Sequence, residues 1–102
     1  MRSRYSAFAL GEVSWLITSL ASAHEDREKE PRVLSHVLRE VCRSHRFMSL
    51  RVLHVDDDAV AGRAVVRFHA RVFSGGRDQS FEETSDFVRE GSAWRYLGAK
   101  IE

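Results

Sequence analysis

Near residue 46 the spacing of apolar side chains switches from a helical period to alternation, and that one switch constrains the fold more than any other feature. Upstream, Tyr5, Phe8 and Ala9 fall at i, i+3, i+4, and Val13, Leu16, Ile17 and Leu20 at i, i+3, i+4, i+7, with Trp15 on an adjoining flank. Leu34, Val37, Leu38 and Val41 repeat the stripe, widened by Val33 and Cys42. Downstream, Ala64, Val66, Phe68, Ala70 and Val72 take alternate positions, separated by residues that include Arg67, His69 and Arg71. Helices first and strands second predict an α+β domain, with the helices covering one face of an antiparallel sheet.

Local signals set the expected boundaries. Gly11 suits a left-handed helix end, so a short helix over 2–10 should give way to a second from residue 12. Residues 24–30 are all histidine or charged and precede Pro31, which predicts an exposed loop, with a third helix over 32–45. Four strands are expected, at 47–55, 63–73, 81–89 and 93–98. The gaps at 56–62, 74–78 and 90–92 are short enough for hairpins, giving a consecutive meander. Gly75-Gly76 has neither a strand-to-helix context nor a following phosphate-loop lysine, so it reads as hairpin chemistry.

Composition excludes several classes of function. Lysine plus arginine (16) nearly balance aspartate plus glutamate (15), so no large positive charge drives nucleic-acid binding. No apolar run reaches the roughly 20 residues of a membrane helix, and the start lacks a signal peptide's apolar centre; a soluble, cytoplasmic protein is expected. Cys42 is the one cysteine, so an internal disulfide is impossible, and its place on the third apolar stripe makes it a small core residue. The five histidines (His24, His36, His45, His54, His69) have no compact ligand spacing, and Asp56-Asp57-Asp58 lacks the alternation of a calcium loop. No metal site and no cofactor are expected.

The strand alternation singles out one acid. Phe81, Glu83, Ser85 and Phe87 share the inward face of the third expected strand, and Trp94 and Tyr96 that of the fourth, so Glu83 is placed on an apolar surface. There it can bond a hydroxyl (Tyr5, Tyr96 or Ser85), pair with a helix arginine such as Arg4, act as a general base, or touch a ligand. On the outer face Glu82 and Asp86 can pair with Arg67, Arg71 or Arg95. Arg2 and Arg4 oppose the dipole of the helix they begin, which calls for an acidic partner elsewhere.

Two segments carry a resemblance. Met1-Arg2-Ser3-Arg4-Tyr5-Ser6-Ala7-Phe8-Ala9-Leu10, followed by Gly11-Glu12, and Glu83-Thr84-Ser85-Asp86-Phe87-Val88-Arg89-Glu90, leading to Trp94-Arg95-Tyr96, resemble the middle domain of the YchJ-like proteins associated with SEC-C motifs. The resemblance implies a single domain over 1–102 with a cone-shaped, nuclear transport factor 2-like fold: three N-terminal helices on a curved antiparallel sheet of about four strands. Position 82 is Glu where the family pattern has His, and the third helix is less typical. Longer relatives flank this domain with Cys-rich zinc motifs, which one cysteine cannot build. The start, in mid-motif by the family's pattern, implies an excised domain or a reduced natural version.

The family's role is not established, so two function classes are carried forward. One is a non-catalytic binding or interaction module for a protein or small-molecule ligand, with a homodimer through Val65, Val88 and Leu97 on the outer sheet face. The other is a small-molecule enzyme, isomerase-like, dehydratase-like or hydrolytic, with Glu83 as its acid or base. The candidate pocket lining is Tyr5, Trp15, Phe68, Glu83, Phe87, Trp94 and Tyr96.

Overall fold

Helix α1 (Arg2–Leu10) ends where Gly11 takes φ 73°, a conformation that costs a residue without Cβ little, and Gly11 donates its N–H to Ala7 O. Helix α2 (Val13–Thr18) follows at once, and α3 (Pro31–Ser44) starts with Pro31 in its first turn. The Glu30 carboxylate caps α3, accepting from the N–H groups of Arg32 and Val33, each at 3.2 Å. The computed structural model describes residues 1–58 and 60–101, with the side chains of Lys100 and Ile101 left aside.

The sheet has five strands where four were expected: β1 (Arg46–Asp58), β2 (Arg63–Ser74), β3 (Arg77–Asp78), β4 (Phe81–Glu90) and β5 (Ala93–Ile101). Among the described residues these strands pair with one another antiparallel, in the order β1-β2-β4-β5, with β3 also on β2. The extra strand falls within the segment 74–78 that was expected to be a turn only. After the Gly75-Gly76 turn (φ 58° and 76°) the chain pairs with β2 for two residues. It slips at Gln79 and Ser80, where the Ser80 hydroxyl accepts from the Val72 N–H at 3.1 Å, and re-pairs as β4.

The first strand also runs past its expected end. Asp56 and Asp57 pair with Val65 and Ala64, so the acidic triplet extends β1, and only Asp58 serves the turn, accepting from Ala61 N–H at 3.1 Å. Register breaks in β1 and at Asp86/Phe87 interrupt the ladder, and such bulges bend a sheet and add twist. The alternation in β2 holds as read: Phe68, Ala70 and Val72 are buried beneath the helices, with Tyr5, Phe47, Leu50 and Phe81 packed against them. Outside, Glu82 pairs with Arg67 at 2.9 Å and faces His69 at 3.6 Å, both half-exposed contacts of modest stabilising value.

Residues 24–30 are mostly exposed, as expected, and they carry a 3-10 turn rather than an irregular loop. Residues 19–21 pair with the free edge of β5: Ala21 N–H donates to Tyr96 O and Tyr96 N–H to Ser19 O, both at 2.8 Å. A 3-10 turn (Glu25–Glu28) then forms, its first N–H groups met by His24, whose Nδ1 accepts from Asp26 N–H at 3.0 Å. Arg27 donates back to Leu20 O at 2.6 Å. Charge composition reports the exposure but not the capping and back-donation that order the segment.

Candidate functional site

The concave face of the sheet is not filled by the helices. A cavity of about 460 Å³ separates them, with an apolar lining that includes Phe8, Leu38, Val41, Phe68, Ala70 and Phe81 and a polar lining that includes Arg4, Tyr5, His24, Asp26, Glu83 and Tyr96, with His45 and Gln79 beside them. This volume lies within the range of small-molecule sites, which are largely apolar with a few placed polar groups.

On the sheet side, Glu83 in β4 sits opposite Phe68 of β2 and is half-buried. Its Oε2 accepts from Ser85 Oγ at 2.5 Å and, more weakly, from Tyr96 Oη at 3.5 Å. Ser85 is wholly buried, so its hydroxyl needs this acceptor. Of the partners expected for Glu83, two hydroxyls are found, and the Arg4 ion pair is not. Burial first, and the negative charge of Glu83 second, push the Tyr96 hydroxyl's pKa well above its ordinary value, so Tyr96 is a neutral donor.

On the helix side, Arg4 projects from α1 to the far end of α2. Its Nη1 donates to Leu16 O at 2.9 Å and Ser19 Oγ at 2.6 Å, and the guanidinium lies 4.4 Å from the centre of the Tyr96 ring. The charge that opposes the dipole of α1 thus meets the Leu16 carbonyl in the last turn of α2, where a cation is favourable. Arg4 is only 7% exposed, yet it makes no ion pair with a carboxylate among the described residues. Burial lowers its pKa, against the opposing pull of Tyr96, Glu83 and Asp26. The sequence mismatch at Arg4 is resolved by a helix end and an aromatic face rather than by an acid.

Tyr5, the next residue of α1, packs edge-on against Phe47 with ring centres 5.9 Å apart. Its hydroxyl is shielded from solvent and has no hydrogen-bond partner among the described residues, and burial raises its pKa. His24 lies against Tyr96 with ring centres 5.6 Å apart. Because its Nδ1 accepts a backbone N–H, the neutral imidazole carries its proton on Nε2.

The candidate lining divides in two. Tyr5, Phe68, Glu83 and Tyr96 meet in the 460 Å³ cavity, whereas Trp15, Phe87 and Trp94 line a hollow of about 260 Å³ toward Val55 and Asp57. Trp15 and Trp94 are 40% and 38% exposed there, and Phe87 is buried with its ring edge-on to Tyr96. Arg4 borders both hollows. The residues sequence reasoning passed over are His24 and Asp26; the signal available was the cap-like His-x-Asp spacing before a charged turn. Cys42 is half-buried and its thiol pKa is raised by burial, consistent with a packing role. Among the described residues, no three His, Cys, Asp or Glu side chains converge as a metal site needs, and no helix is long and apolar enough to cross a membrane.

Comparison with known proteins identifies the lineage. Residues 1–99 match the family model described as YchJ, middle NTF2-like domain. A UPF0225 protein of Chromobacterium violaceum is 33% identical, the match covering 99% of this chain and 70% of that protein. One of Pectobacterium carotovorum is 31% identical, over 95% and 61%. The solution structure of a SEC-C motif containing protein from Rhodopseudomonas palustris superposes with a TM-score of 0.85 at 28% identity, covering all of this chain and 75% of that one. The crystal structure of a SEC-C motif containing protein from Psychrobacter arcticus, 21% identical, shares the fold with a TM-score of 0.77, covering all of this chain and 58% of that one. A helical start that turns Arg4 and Tyr5 inward, a curled sheet that turns in Glu83 and Tyr96, and this match over nearly the whole length agree, and the chain belongs to the YchJ family as its middle NTF2-like domain.

Proposed function

We propose that this domain is a non-catalytic binding module that holds a small molecule in the cavity between its helices and sheet. The observation that carries the reading is the unfilled concave face: both Trp15 and Trp94, which would have plugged it, lie outside the 460 Å³ cavity. The absence of catalysis is supported by Glu83, whose Oε2 is already committed to two hydroxyls of its own sheet, and by His24, whose ring is held as a donor rather than a base.

Fragment titration followed by amide and methyl NMR tests the reading. Shifts should concentrate at Phe68, Ala70, Val41 and Tyr96, and Val41→Phe, which fills the cavity from α3, should abolish them. Shifts confined to the outer sheet face, or undiminished in Val41→Phe, would overturn it.

The meeting of Glu83, Tyr96 and His24 on one cavity favours a second reading, a proton-transfer enzyme acting on a small molecule. Under it, Glu83→Gln abolishes turnover of a bound compound while leaving binding intact; under the module reading, no bound compound is altered by either form.

A further inference from the structure

The polar groups of the cavity are unequally satisfied, and the imbalance has a sign. Glu83, the acid of the sheet wall, receives two hydroxyl protons. Asp26, at the rim, is paired with Lys29 at 2.8 Å. Arg4 is buried and positive, and among the described residues its hydrogen bonds go to neutral oxygens. The Tyr5 hydroxyl is buried and has no partner among the described residues. His24 presents a ring that carries its proton on Nε2. The unmet demand is therefore for an acceptor with negative charge, since a buried cation without a direct ion pair and a buried hydroxyl without a partner are both costly.

From this we infer that the cavity takes a small organic anion, a monocarboxylate with an apolar or aromatic body, whose carboxylate meets Arg4 and the Tyr5 hydroxyl. The inference rests on the proposal that the cavity is a ligand site and adds the ligand's chemical class. One negative charge fits better than two. Arg4 makes no ion pair with a carboxylate among the described residues, and Glu83 in the same cavity repels a second charge. An apolar body suits the walls of Phe8, Leu38, Val41, Phe68 and Phe81.

The test compares isosteres by NMR titration and calorimetry on the 102-residue protein: benzoate against benzamide and benzylamine, and hexanoate against hexanol. The expected result is carboxylate binding at least tenfold tighter than that of the amide or alcohol. Arg4→Met should erase the preference. Should that variant fail to fold, Glu83→Gln is decisive, because removing the repelling charge should tighten benzoate binding several-fold and weaken benzylamine. Carboxylates and neutral isosteres binding equally in the cavity, or Glu83→Gln weakening benzoate, would overturn the anion assignment while leaving a ligand site standing. Failure of every compound to shift cavity resonances at millimolar concentration would overturn the ligand site and the anion with it.

Discussion

The two walls of the cavity handle their buried polar groups in opposite ways. On the sheet wall Glu83, Ser85 and Tyr96 form a closed set, acceptor and donors from paired strands. On the helix wall Arg4 borrows a helix end and a ring face, and the neighbouring Tyr5 hydroxyl has no partner among the described residues. A closed set rigidifies a fold, whereas an open one costs stability and persists where something else is to be bound. The sheet wall therefore reads as architecture and the helix wall as the site.

Mutations separate the walls, and the largest effect belongs to Arg4. Arg4→Ala removes the ties to Leu16 O and Ser19 Oγ and the contact with Tyr96, and should destabilise the domain by about 2–4 kcal/mol in urea unfolding. A loss under about 1 kcal/mol would mean that α1 and α2 hold together without it. On the other wall, Glu83→Ala leaves the wholly buried Ser85 hydroxyl without its acceptor, and a loss of about 1–3 kcal/mol is expected. An unchanged midpoint would place Glu83 with the open wall instead.

Alkaline titration sharpens the contrast less strongly. The Tyr96 hydroxyl's pKa is raised in the fold, by burial first and by Glu83 second, so the folded state holds that proton more tightly than the unfolded chain does. Its contribution is intact below about pH 10, the unfolded value, and is lost as pH rises through the folded one. Melting temperature should fall above pH 10, and less steeply in Tyr96→Phe; parallel curves for the two proteins would count against the coupling to Glu83.

Much of this was legible in the sequence because alternation and helical spacing report directly on which face is buried. Phe68, Ala70, Val72 and Glu83 lie where the two-residue period puts them. The misplacements share a cause. Trp94 faces inward by pattern and Trp15 flanks the apolar stripe of its helix, but how far along the sheet the helices reach is set by tertiary packing, and both residues lie in the second hollow. His24 and Asp26 were read from charge alone, which says nothing of a cap or of the pairing between residues 19–21 and β5. Arg4 was visible as a conflict with its own helix, and local conflict is what a functional wall leaves in a sequence.

The hydroxyl of Tyr5 gives the most direct test, since the difference between the walls predicts opposite outcomes for two hydroxyl deletions. Urea unfolding should show Tyr5→Phe as stable as the parent or up to about 1 kcal/mol more so, because a buried group without a partner is removed, while Ser85→Ala, which breaks a made bond to Glu83, loses about 1 kcal/mol. A loss of more than about 1 kcal/mol in Tyr5→Phe would show that the hydroxyl already has a partner within the fold, and the distinction between a closed sheet wall and an open helix wall would be contradicted.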